Sequence, residues 1–185
     1  WAQVQYVGGP YVLAGCAEGY ATVRTPPELA GCYACDTQGE YILQRGDECQ
    51  VCPPGLTCFG NSTVVAVTND AVWQPENGIY VLKSCPPHYS VYPPAGAFDA
   101  VLQECRACPA GSECDGPQCV ECVACAPGTY KSAGDASPCL PCPADTYGEV
   151  PGGDKCEVCK ACPEHSSTSG AVGVSDGAEC VCDVG

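Results

Sequence analysis

The stretch CVACAPGTYKSAGDASPCLPCPADTYGEVPGGDKCEVC, residues 122–159, decides how this chain is built. Cys-x-x-Cys pairs stand at 122/125, 139/142 and 156/159, each 17 residues after the last, and Thr129-Tyr130 returns at that step as Thr146-Tyr147. A fixed short period is the signature of repeated supersecondary units. Seventeen residues cannot bury a core of their own, so the units need another source of stability. A bond from Cys125 to Cys139, or from Cys142 to Cys156, closes a loop of about 15 residues and contributes roughly 3 kcal/mol in the chain-entropy picture. Gly and Pro supply the turns, and the Tyr of each unit is expected to cover its disulfide. Units of this kind touch mainly their neighbours and stack into a rod.

The pattern continues outward in both directions. Further pairs stand at 32/35, 49/52 and 105/108. Cys49-Gln-Val-Cys52-Pro-Pro-Gly-Leu-Thr-Cys58 and Cys105-Arg-Ala-Cys108-Pro-Ala-Gly-Ser-Glu-Cys114 share three cysteines, a Pro and a Gly, which marks an internal duplication. The spacing predicts disulfides Cys35–Cys49, Cys85–Cys105, Cys125–Cys139 and Cys142–Cys156. Connectivity in the crowded set from Cys108 to Cys122 stays open, because cysteine order alone does not fix it. A third C-terminal unit starts at Cys159, lacks the Tyr, and ends at Cys180/Cys182.

Composition explains why sulfur is needed. The chain has 185 residues with 20 Cys, 22 Gly and 18 Pro, while Phe and Met number 2 and 0. Net charge is −15, from 22 acidic and 7 basic residues. Such a chain without cysteine would stay disordered; cysteine at this density marks a small-domain scaffold held by disulfides or metal. A shortage of Lys and Arg argues against nucleic acid. No apolar run reaches 18 residues, so no membrane contact is expected from this segment. The absence of Met at position 1 and the ending at Cys180-Val-Cys182 read as part of a longer protein.

Residues 59–104 differ from their flanks, with one Cys and most of the β-branched and aromatic runs. Strands are expected over Ser62–Thr68, Ala71–Gln74, Gly78–Lys83 and His88–Tyr92, with a turn at Pro75–Asn77 and a turn of helix over Ala97–Glu104. Gln3–Leu13 alternates as an edge strand. The expected organisation is an N-terminal cysteine-rich segment with an arm (1–58), a β-rich segment (59–104) and tandem cysteine-rich repeats (105–185). The fold class is small and disulfide-rich, with short β-hairpins and loops and little or no helix.

Cys125-x-Pro-Gly-Thr-Tyr130, Cys139-Leu-Pro-Cys142-Pro, Thr146-Tyr147 and Cys156-x-x-Cys159 resemble the ephrin-receptor-like cysteine-rich repeat and are similar to tumour-necrosis-factor-receptor-like modules. Upstream, Cys49-x-x-Cys52-Pro-Pro-Gly-x-x-Cys58-x-Gly-Asn61, Val72-Trp73, Asn77-Gly78-Ile79, Cys85-Pro, Tyr89-Ser-Val91 and Gln103-x-Cys105 look like a block found in large algal and protist surface glycoproteins of the mastigoneme type. That resemblance implies an extracellular, glycosylated, non-enzymatic building block of a fibre, flagellar hair or coat. The same repeats serve in animal receptors, which makes a ligand-binding ectodomain the alternative.

Chemistry-bearing motifs are few. Asn61-Ser-Thr63 is an N-glycosylation sequon, and an N-glycan is expected there. The doublets Pro26-Pro27, Pro53-Pro54, Pro86-Pro87 and Pro93-Pro94 read as rigid turns. Paired Cys-x-x-Cys also fit a zinc ribbon, but the pairs run as a continuous series with extra cysteines rather than as a closed set of four, so no metal and no cofactor are expected. His88 reads as a surface residue at a strand end. His165 beside Ser166 and Ser167 lacks the third group and oxyanion hole that a hydrolase needs, so no catalytic residue is assigned. Spread carboxylates read as a solvated acidic surface. Partners are expected to be further copies of the chain or related surface proteins, reached by strand addition from residues 1–14 with Trp1, Tyr6 and Tyr11 as anchors.

Overall fold

A computed structural model describes residues 16–24, 30–44, 47–154, 159–161 and 166–182. Two compact units emerge: Trp1–Lys83 with Tyr92–Glu104, and Ser84–Val91 with Cys105–Gly185. Among the described residues every ladder has two strands, and helix is confined to a 3-10 turn at Gly177–Glu179. The chain is therefore a strand-rich, disulfide-rich fold of short antiparallel hairpins.

In the first unit, β1 (Tyr20–Arg24) pairs with β2 (Ala30–Ala34), β3 (Glu40–Tyr41) with β4 (Gln50–Val51), and β5 (Leu56–Cys58) with β6 (Val64–Ala66). A fourth pair joins β7 (Val72–Glu76) to β8 (Ile79–Ser84), which runs to the unit's edge. The turn between β7 and β8 falls one step later than expected. Asn77 and Gly78 take φ of 51° and 83°, and a two-residue hairpin loop with both central residues left-handed suits Asn-Gly. Pro75 stays inside β7, in a two-stranded ladder whose open side tolerates a missing N–H.

Two small apolar clusters lie here. Ala21, Cys35 and Ile42 pack with Cys49. Tyr41, Leu56 and Cys58 pack with Leu43, Cys52, Val64, Ala66, Trp73 and Tyr80. The Tyr41 and Tyr80 rings sit 5.3 Å apart at 49°, and the Tyr80 N–H donates to the Tyr41 hydroxyl at 2.9 Å. Gln103, 2% exposed, acts as a surrogate strand residue. Its Oε1 accepts the Leu82 N–H at 2.8 Å, and its Nε2 donates to the Tyr80 and Ala100 carbonyls. This side-chain amide satisfies backbone groups of β8 that burial would otherwise leave at a cost. The expected turn of helix over Ala97–Glu104 is absent. Asp99 captures the Val101 N–H with its carboxylate instead, the local competition that makes Asp a poor helix residue, and Glu104 enters a strand.

The second unit is a ladder of shorter hairpins. It holds β9 (Tyr89–Tyr92) up to Val91 with β10 (Glu104–Ala107) from Cys105, then β11 (Ser112–Glu113) with β12 (Val123–Ala124). Next come β13 (Thr129–Tyr130) with β14 (Leu140–Pro141) and β15 (Thr146–Gly148) with β16 (Cys159–Ala161). The last pair is β17 (Ser166–Ser167) with β18 (Val181–Cys182). Ser112, Thr129 and Thr146 open successive hairpins at the 17-residue step read from the sequence. Among its described residues, the buried apolar ones are the cysteines Cys85, Cys108, Cys119, Cys125 and Cys142, together with Val174.

Candidate functional site: the stapled repeat joint

The repeated chemical feature is a turn three residues after a cysteine. Gly19, His88, Gly111, Gly128 and Asp145 follow Cys16, Cys85, Cys108, Cys125 and Cys142 at that offset. Their φ values are 80°, 70°, 73°, 81° and 63°. In each case the next residue's N–H donates back to the residue after the cysteine: Tyr20 to Ala17, Tyr89 to Pro86, Ser112 to Pro109, Thr129 to Ala126 and Thr146 to Pro143. A left-handed residue at the third place of a four-residue turn is the type II pattern. Pro87 and Pro127 stand at its second place, where their fixed φ is already correct.

The turn residue is then used in both directions. Its carbonyl accepts the N–H of a later cysteine: Gly19 from Cys35 at 3.1 Å, His88 from Cys108 at 2.9 Å, Gly111 from Cys125 at 2.9 Å and Gly128 from Cys142 at 2.8 Å. Its own N–H reaches further along the chain, from Gly111 to the Lys131 carbonyl at 2.8 Å and from Gly128 to the Gly148 carbonyl at 2.7 Å. Only glycine fits twice. A Cβ on Gly111 would collide with the Gly152 carbonyl, and one on Gly128 with the Gly173 carbonyl. Asp145 takes the same place in the next copy by different means. Its N–H donates to Thr168 Oγ1 at 2.8 Å, and its Oδ1 accepts the Thr168 N–H at 3.2 Å.

Disulfides lock this backbone. Cys35 is bonded to Cys49, Cys85 to Cys105 and Cys125 to Cys139, with Cα–Cα separations of 5.6, 5.7 and 5.8 Å. Cys142 is also disulfide-bonded, but its expected bond to Cys156 lies outside the described residues. The sequence left four further bonds unassigned: Cys16–Cys32, Cys52–Cys58, Cys108–Cys122 and Cys114–Cys119. The third of these, Cys108–Cys122, spans 14 residues like Cys35–Cys49 and Cys125–Cys139, so the 17-residue step alone could have found it. The other three follow no common spacing.

Lys131 escaped the sequence reading. It is 1% exposed, and its Nζ donates to the Cys108 carbonyl at 2.9 Å, tying two repeats together from the side chain as Gly111 and Lys131 do from the backbone. Nothing in the sequence distinguishes it from a surface lysine. Cys35, Glu40 and Cys49 bring ligand atoms within 4.8 Å of one another, yet the two sulfurs are bonded to each other and offer no thiolate to a metal. His88 is half-buried at its turn, and its Nδ1 is buried without a partner. The residues proposed for docking, Trp1, Tyr6 and Tyr11, and His165 lie outside the described residues.

Asn61 sits midway along the β5–β6 connection. Its Oδ1 accepts the Thr63 N–H at 2.7 Å, its carbonyl accepts the Ile42 N–H at 3.2 Å, and the neighbouring Ser62 hydroxyl donates to Glu18 at 3.2 Å.

Residues 115–159 match a family model described as tyrosine-protein kinase ephrin type A/B receptor-like. The chain thus carries an ephrin-receptor-like cysteine-rich segment, and the matched region holds the Gly128 and Asp145 turns. None of the curated proteins matches the chain. With seven disulfides described in full, this segment marks the protein as an extracellular or secreted one. No helix among the described residues is long and apolar enough to cross a membrane.

Proposed function

We propose that the chain is a non-enzymatic structural module, a disulfide-stapled subunit of a surface fibre, flagellar hair or cell coat that assembles with copies of itself or with related surface proteins. The observation that supports this reading is the joint itself. Four of the five turns accept a cysteine N–H, and Gly111 and Gly128 also donate onward, so load along the chain passes through short covalent loops and paired backbone bonds rather than through an oily core. Hairpins with open edges offer strand addition as the assembly mode. A second reading, a ligand-binding receptor ectodomain, draws on the description of the matched family. Electron microscopy of the native material separates them. Filaments or a periodic lattice support the structural role, and dispersed single particles with one saturable protein ligand overturn it. Deleting residues 1–14 is expected to abolish assembly while leaving the disulfides intact; assembly that survives removes the arm from the mechanism.

A further inference from the structure

Asn61 carries the one sequon in the chain, and its surroundings go further than the sequence motif. The Asn61 side chain spends its oxygen on the Thr63 N–H. Its amide nitrogen has no hydrogen-bond partner among the described residues, so a substituent on Nδ2 breaks nothing. Thr63, whose hydroxyl completes the sequon, is exposed. Beside Ser62 opens a cleft of about 190 Å³, lined by Glu18, Gly19, Ile42, Leu43, Gln44 and Ser62. That is below the ~300–1,000 Å³ that encloses a whole drug-sized ligand and suits a single ring. Its lining suits a sugar: half-buried Leu43, backed by the buried Ile42, gives an apolar face for the ring's C–H side, while Gln44 and the Glu18 carboxylate that already holds the Ser62 hydroxyl offer donors and acceptors for hydroxyls and an acetamido group.

We infer that Asn61 is an N-glycosylation site whose first sugar residue seats in the Glu18–Ile42–Leu43 cleft and covers that edge of the first unit. The inference rests on the extracellular reading. In the modification, Nδ2 forms a bond to the anomeric carbon of an oligosaccharide carried on an isoprenoid diphosphate. The bond from that carbon to the diphosphate oxygen breaks, the lipid diphosphate leaves with the electron pair, and the amide gives up one proton. A transferase of the secretory pathway supplies the donor.

The test is the full chain secreted from a eukaryotic host. Intact mass is measured before and after peptide N-glycosidase, with thiols counted on the unreduced protein. Carbohydrate is expected on most molecules, lost in Asn61→Gln and Thr63→Ala and retained in Asn77→Gln, which is followed by Gly-Ile and forms no sequon. Hydrogen exchange at Ile42, whose N–H meets the Asn61 carbonyl, is expected to slow several-fold in the glycosylated form relative to the enzyme-treated one, and Leu43→Asp is expected to erase that difference while leaving occupancy unchanged. An unmodified Asn61 in a molecule with its disulfides formed overturns the site. A modified Asn61 without protection at Ile42 overturns the seating. Many free thiols overturn the extracellular reading on which both stand.

Discussion

The two units solve one problem, a chain too poor in apolar residues, in different ways. The first unit keeps two small oily clusters around Ile42 and Tyr41 and completes them with the buried amide of Gln103. The second unit has no such cluster among its described residues. It buries cysteine sulfur and glycine backbone, and it repeats one hydrogen-bonded turn from His88 to Asp145. A core tolerates modest changes of shape if its volume is kept, whereas a backbone crossing has no side chain to repack. The first unit is accordingly expected to degrade gradually under mutation and the second to fail at a few fixed positions. Hydrogen exchange reads each unit separately and is the natural probe of the contrast.

The largest effect is expected from sulfur in the second unit. Replacing Cys125 and Cys139 together by Ser removes the cross-link of one repeat. Loss of about 2–5 kcal/mol is expected in a small secreted fold, with protection falling at the Cys125, Cys142 and Lys131 amides and little change at Ile42 or Tyr80. Uniform loss across both units would erase the distinction between them. Next comes Gly128→Ala. The left-handed φ of 81° costs roughly 1–2 kcal/mol for a residue with a Cβ, and collision with the Gly173 carbonyl adds to it, for a total above ~3 kcal/mol. Gly170→Ala is the control: φ is 80°, but nothing lies within 4 Å of the added carbon, so only the conformational cost is expected. Equal destabilisation of the two variants by urea unfolding would show that the glycine crossing carries no weight.

What the sequence revealed and what it hid follow the same line. The 17-residue step, the Cys-x-x-Cys pairs and the hairpin-rich fold were legible because they rest on local spacing. Cys125–Cys139 and Cys35–Cys49 follow from that spacing, while Cys16–Cys32 and Cys114–Cys119 each lie within one hairpin at separations of 16 and 5 residues that the repeat does not share. The shared offset of the turn was hidden for another reason. Gly128, Asp145 and His88 have no chemistry in common, only a positive φ. Lys131 and Gln103 are polar residues of ordinary type, buried because a backbone carbonyl or a strand edge waits for them. Residues 97–103 misled because their helical composition is overridden by one Asp–backbone bond at Asp99.

A smaller effect is expected at Gln103. Changing it to Leu keeps much of the volume but leaves the Leu82 N–H and the Tyr80 carbonyl buried without the partner they have now. Each orphaned group costs about 1–3 kcal/mol where relaxation or water does not restore a bond. Gln103→Glu retains an acceptor for Leu82 but loses the donor to Tyr80 and Ala100, so it should sit between Leu and the parent in urea midpoint. A Leu variant as stable as the parent would mean that β8 does not need this surrogate partner, and that apolar packing alone holds the first unit.

The smallest effect separates the units by pH. Burial pushes the Tyr41 hydroxyl above its usual 10.0, the Tyr80 N–H that it accepts pulls the other way, and nearby Tyr80 raises it further. Because the folded value is the higher one, Tyr41 holds its proton in the native state after the unfolded chain has begun to release it. Its contribution is complete below pH ~10 and is lost as pH rises through the folded value, since the unfolded state then binds fewer protons. The first unit is therefore expected to lose protection with rising pH in that window. Tyr41→Phe is expected to lower stability modestly at pH 7, where the bond from Tyr80 is missing, and to flatten the alkaline slope. Asp135 works in the opposite direction in the second unit. The Ser137 hydroxyl and N–H both donate to its carboxylate and hold its pKa below the usual value, so its contribution is present above pH ~4 and fades as pH falls through the lowered value. Acid should thus weaken the loop around Asp135 while leaving the Tyr41 cluster alone, and alkali should do the reverse; parallel responses at both ends of the pH scale would mean that the two units unfold as one body.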